Sequence, residues 1–128
     1  MRLLLDTHIL LWSAGQPDKL STEARTLLLD TSNTLFFSAA SIWEIIIKRG
    51  LGRADFTVDP LRFRKQLVIN GYEEVAVSAD HALAVDVLPL LHKDPFDRIL
   101  IAQARSEGMQ LLTSDSQMSH YGTGIMMV

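Results

Sequence analysis

Short apolar runs alternate with longer helical segments along this chain, and that alternation confines it to an α/β fold. Leu3–Leu5, Leu35–Phe37, Glu73–Val77, Met109–Thr113 and Ile125–Val128 read as five short strands. Helices fill the intervals. One begins at His8, and one follows the cap Ser21, with Leu20, Ala24, Leu27 and Leu28 at helical spacing. A third runs from Ser41 to Arg49 and stops at Gly50 and Gly52; its three isoleucines favour strand, but the Ser-x-x-Glu start and basic last turn favour helix. Asp59-Pro60 and Gly71 bracket a fourth, Ser78 and Pro89 a fifth, and Asp94-Pro95 and Gly108 the last and longest. Residues 90–93 read as loop, and 117–124 as loop with a short helical turn. Parallel strands need such crossovers, so the expectation is one domain over 1–128, a central five-stranded, mostly parallel sheet flanked by helices.

With 128 residues, 48% apolar and 21% charged, the chain has enough material for one core. It has no cysteine, which excludes disulfides and thiolate metal sites. No apolar run is long enough to span a bilayer and no secretory leader is present, so a soluble cytoplasmic protein is expected. The net charge of −3 argues against a general nucleic-acid coat. Its distribution is uneven. Lys48, Arg49, Arg53, Arg62, Arg64 and Lys65 hold half of the twelve basic residues, leaving this stretch at about +4 and the remainder at about −7. The stretch is either a solvated face or a phosphate-contacting stripe beside an acidic site.

The acids have a pattern. Asp6 ends the first strand. Glu44 falls in the first turn of the helix after the second. Asp97 falls in the first turn of the longest helix, with Asp94 just before it, and Asp115 follows the fourth strand. In parallel α/β units, strand C-termini and the N-termini of the helices that follow share one edge, where ligands bind. Each acid also has a structural reading: Asp6 and Asp94 as N-caps, Glu44 as the far half of a capping box, Asp115 as a turn residue. Carboxylates brought this close repel and take up protons unless a cation joins them. Oxygen ligation without cysteine favours Mg2+ or Mn2+ over zinc. Such an ion can polarise a phosphodiester and deliver hydroxide near neutral pH. Thr7, Thr113 and Ser114 could hold the carboxylates or a water in place.

Four blocks carry a specific resemblance: Leu4-Leu5-Asp6-Thr7-His8, Ser38-Ala39-Ala40-Ser41-Ile42-Trp43-Glu44, Asp94-Pro95-Phe96-Asp97-Arg98-Ile99-Leu100-Ile101-Ala102-Gln103-Ala104 and Leu112-Thr113-Ser114-Asp115. In this order they resemble the PIN-domain family, close to the VapC-like ribonuclease toxins of bacterial toxin–antitoxin pairs. The resemblance implies a magnesium- or manganese-dependent endoribonuclease that leaves 5′-phosphate and 3′-hydroxyl ends. It makes Asp6, Glu44, Asp97 and Asp115 the acidic quartet, with Asp94 a subgroup feature. It also implies an RNA substrate, a cognate antitoxin and a tendency to homodimerise.

Two other function classes compete. A phosphoryl-accepting module would want Asp-x-Asp after the first strand, or an acidic pair there with a lysine after the last; Asp6-Thr7-His8 offers neither. A non-catalytic binding module would not need the complete acidic set. Arg98 could contact phosphate or form a surface salt bridge. His8 reads as a packed or capping residue, and His81, His92 and His120 show no ligand spacing. Trp12 and Trp43 read as core. Ile42, Trp43, Ile45, Ile46 and Ile47 make the third helix apolar nearly all round, more than one core-facing stripe needs, so part of it should form a second surface.

Overall fold

A computed structural model describes residues 1–128. Five strands form one sheet, every neighbouring pair parallel: β1 (Arg2–Leu5), β2 (Thr34–Ser38), β3 (Glu73–Val75), β4 (Gln110–Thr113) and β5 (Ile125–Met127), in the order β3-β2-β1-β4-β5. Six α-helices make the crossovers: α1 (Thr7–Gly15), α2 (Thr22–Leu29), α3 (Ala39–Gly50), α4 (Pro60–Ile69), α5 (Ala79–Asp86) and α6 (Pro95–Glu107). Short 3-10 turns follow α1 and β4.

β1 lies at the centre, and its sequence explains why. Leu3, Leu4 and Leu5 are fully buried, each contributing roughly 2 kcal/mol. Alternation sends Leu3 and Leu5 into a core with Ile9 and Leu10 of α1, Ile45 of α3 and Leu67 of α4. Leu4 faces the opposite core, with Leu100 and Ile101 of α6 and Met118 and Tyr121 from the turn after β4.

The chain winds outward from β1 through β2 to β3, then returns to β4 on the other side. The strand order therefore reverses between β1 and β4, the place where open α/β sheets form a crevice.

Asp or Ser caps every α-helix: Asp6, Ser21, Ser38, Asp59, Ser78 and Asp94 each accept a backbone N–H from the first turn. One cap corrects the sequence reading. α3 starts at Ala39 on Ser38, whose hydroxyl accepts from Ala40 N at 3.0 Å, two residues before the expected start. Ser41 is inside the helix and buried, so Ser41-x-x-Glu44 is not a capping box and Glu44 stands in the second turn. β3 is also shorter than expected, because past Val75 the backbone leaves the sheet and the Ala76 carbonyl accepts from Gln103 Nε2.

Candidate active site

The crevice at the ends of β1 and β4 opens into a cleft of about 410 Å3, lined by twelve residues of which only Trp12 is hydrophobic. Asp6, Thr7, Glu44, Asp94, Asp97, Ser114 and Asp115 all line it. Residues from positions 6 to 115 thus line one cleft.

Asp6 is both cap and site residue. Its Oδ1 accepts from Ile9 N at 2.9 Å, and its Oδ2 accepts from the Thr113 hydroxyl. Thr113, fully buried at the end of β4, thereby locks the Asp6 carboxylate to the neighbouring strand, and its oxygen also accepts from Asp115 N at 3.0 Å. Glu44 is buried and fixed at both oxygens: the Thr7 hydroxyl donates to Oε1 at 2.6 Å, and Lys48 Nζ, one helical turn on, donates to Oε2 at 2.6 Å. The Thr7 hydroxyl also lies 3.0 Å from that of Ser41, which is why Ser41 is drawn inward instead of capping.

The third group comes from α6 and its flanks. Asp94 caps the helix through Phe96 N and Asp97 N, and its free oxygen stands 3.6 Å from Lys48 Nζ. His92 Nε2 lies 2.7 Å from Asp97 Oδ2 and 3.6 Å from Asp115 Oδ2. The loop is anchored by Tyr121, whose hydroxyl accepts from His92 N at 3.0 Å.

Crowding has an electrostatic signature. Burial pushes the Asp6 carboxyl up to about 6, against the bonds from Thr113 and Ile9. Asp97 is pushed up to about 7, by burial first and then by the charges of Asp94 and Glu44, with His92 opposing. Burial alone would lower the Lys48 ammonium, but its bond to Glu44 and the charges of Glu44, Asp94 and Asp97 outweigh that and raise it.

Several expectations change. His92 joins the site although no spacing marked it, so the donor set is not oxygen-only. Lys48 and Arg53 are the part of the basic stretch that reaches the cleft. Arg64 instead pairs with Glu74 through two bonds of 2.8 and 2.9 Å. Arg98 serves neither role considered for it: its guanidinium donates to the carbonyls of Val85 and Pro89 and to the Tyr121 hydroxyl, outside the cleft. Trp43 is not core but 61% exposed, against the edge of Phe96. His8 sits at the rim, 2.9 Å from Asp55 and against Trp12 and Phe56.

The donors suit a divalent cation. One atom each from His92, Asp97 and Asp115 lies within 4.8 Å of the others. Donors about 2.0–2.3 Å from one ion can be no further apart than about 4.6 Å, so a small adjustment closes this set around it. Asp6 and Asp97, both pushed toward protonation in this cleft, would be relieved by a positive neighbour.

Residues 3–123 match the PIN domain. The chain belongs to the PIN-domain family. Ribonuclease VapC22 of Mycobacterium tuberculosis is 26% identical to this PIN domain over 117 residues, covering 91% of this chain and 88% of that one. Two solved structures share the fold. VapBC2 from Rickettsia felis, bound to a DNA fragment from their promoter, superposes with a TM-score of 0.69 at 18% identity, covering 100% of this chain and 98% of that one. VapC20 of M. tuberculosis, a sarcin-ricin loop cleaving toxin, gives 0.67 at 17%, covering 94% and 95%. No helix of this PIN domain is long and apolar enough to cross a membrane.

Proposed function

We propose that this PIN domain is a divalent-metal-dependent endoribonuclease and the toxin of a toxin–antitoxin pair, acting in the cytoplasm. The observation that carries the reading is the convergence of Asp6, Glu44, Asp97 and Asp115, from four separate elements, on one open polar cleft where the strand order reverses. The similarity to a VapC ribonuclease supports the same reading. Asp97, Asp115 and His92, with Asp6 beside them, would hold Mg2+ or Mn2+, and Glu44 borders the same cleft. When bound, such an ion supplies Lewis acidity and makes hydroxide available near pH 7. The protein's own share is placement. Thr113 fixes Asp6, Thr7 fixes Glu44, and Tyr121 fixes the loop that carries His92. Arg53 and His8 at the rim offer donors to the RNA backbone, and Ser114 lies beside Asp115.

Hydrolysis adds water across the P–O3′ bond, so the products carry 5′-phosphate and 3′-hydroxyl ends. Sequencing the ends made from total RNA with Mg2+ tests this. Ends bearing 2′,3′-cyclic phosphate would mean attack by the 2′-hydroxyl and would overturn the reading, as would no cleavage with either ion.

The protein partners are a cognate antitoxin and a second copy of the chain. α3 offers apolar surface for such contacts: Ile45 is buried, while Trp43 and Ile46 are 61% and 51% exposed. Ile46→Asp should leave the melting temperature and nuclease activity near wild type and lower antitoxin affinity at least tenfold, read by co-purification and titration. Unchanged affinity in a folded variant would take Ile46 out of the interface.

A further inference from the structure

Four of the five carboxylates of the cleft fall into two groups, each with its own partner, while the fifth, Asp6, is held by the Thr113 hydroxyl and Ile9 N. Asp97 and Asp115 face the imidazole of His92, at 2.7 and 3.6 Å. Glu44 and Asp94 face the ammonium of Lys48, at 2.6 and 3.6 Å. The Lys48 side chain is only 16% exposed, and the faces of Phe56 and Phe96 stand 5.1 and 5.9 Å from Nζ. Its reach is set by helical geometry, since Glu44 and Lys48 are an i, i+4 pair on α3. With Thr7 on the other oxygen, Glu44 is held at both of its oxygens.

We propose that Lys48 is a resident cation of the site, standing where a second metal ion would otherwise stand, so that the cleft takes one divalent ion at its His92–Asp97–Asp115 end and presents the Lys48 ammonium to the RNA phosphate at the other. This rests on the nuclease reading for its purpose but not for its measurement. An ammonium is a compact point charge suited to phosphate oxygens. A divalent ion placed between Glu44 and Asp94 would have to displace it or lie against it, and like charges in a half-buried site repel strongly. No such conflict exists beside His92, whose imidazole can turn from hydrogen-bond partner to ligand.

Ion counting tests the proposal without reference to cleavage. Manganese is added to the whole protein, and free Mn2+ is read from its electron paramagnetic resonance signal. The wild type should bind one Mn2+ per chain, and pulsed spectra of the bound ion should show nitrogen coupling from an imidazole, lost in His92→Asn. Lys48→Met and Lys48→Gln free Glu44 and Asp94 and should raise the count to two, while Lys48→Arg keeps it at one. Two ions in the wild type would overturn the proposal whatever the variants do. So would a count of one in folded Lys48→Met and Lys48→Gln, or a bound ion without nitrogen coupling. If cleavage itself is never found, the nuclease reading fails and the ion count still stands or falls alone.

Discussion

Asp6→Asn and Asp97→Asn are each expected to lower RNA cleavage more than about 100-fold, because removing a partner that merely orients a metal ligand already costs 10–100-fold. Both replacements keep the shape of the side chain. At position 6, Asn can still accept from Ile9 N through its oxygen, so the start of α1 stays capped. Thr113, which donates to Asp6, can instead accept from the Asn amide, since its hydroxyl rotates. The fold should therefore survive, and in metal-free buffer at pH 8 each variant should melt above the wild type, having lost a buried charge that burial disfavours. A variant with both a higher melting temperature and no cleavage separates a functional carboxylate from a structural one. Activity within a few fold of wild type in either variant would remove that acid from the proposed metal-holding set.

The same two carboxylates set an unusual pH dependence. Unfolded, Asp6 and Asp97 titrate near 3.8; folded, burial raises them to about 6 and about 7, with neighbouring acids adding to the shift of Asp97. Between pH 4 and pH 7 the native state thus holds protons that the unfolded state has released, so stability is greatest at the acid end and falls as pH rises through the folded values. Each unit is worth about 1.4 kcal/mol, so the two together amount to several kcal/mol. Between pH 5 and pH 8 in chelator the melting temperature should fall by roughly 10 °C. The lowered carboxylates Asp55 and Glu74, paired with His8 and Arg64, act at the acid end, since their stabilisation is complete above their unfolded values of 3.8 and 4.5 and is lost as pH falls below these. Millimolar Mg2+ or Mn2+ should remove most of the decline at pH 8, because an ion bound only to the folded state adds stability by mass action. Melting curves at both pH values, with and without metal, provide the check. A flat profile in chelator would mean that the acids are less crowded than their burial implies.

The parts of the site that were readable in sequence are those fixed by the backbone. An apolar triplet ending in Asp6, and Asp94-Pro95 at a helix start, place carboxylates at a sheet edge through strand and helix geometry alone. Sequence alone places Glu44 in the right helix but one turn too early, because Ser38 and Ser41 are equally good caps in isolation. Thr7, from another element, draws Ser41 inward and leaves the cap to Ser38. Lys48 carries a usable signal, its four-residue spacing from Glu44, but stands in a basic stretch of which only Arg53 also reaches the cleft. His92 carried none, since its place depends on a loop tied down by Tyr121, almost thirty residues later. Arg98 misled for the opposite reason: its neighbour Asp97 enters the cleft, and a helix turns adjacent residues about 100° apart.

The central strand has one further consequence, for the order in which the molecule acquires its chemistry. β1 pairs with β4 from Leu3↔Gln110 to Leu5↔Leu112, so its second edge closes only through contacts more than a hundred residues apart. Non-local pairings of this kind form late and slowly. Until they do, Asp6 has no Thr113 to hold it, and Asp115 has no fixed position beside His92. A chain that has completed β1, β2 and the helices α1 to α3 already owns part of its core and Glu44, yet has no assembled cleft. Catalytic competence is thus tied to the last stage of folding, and partly folded chains of this protein should be harmless to RNA even where most of their secondary structure is in place.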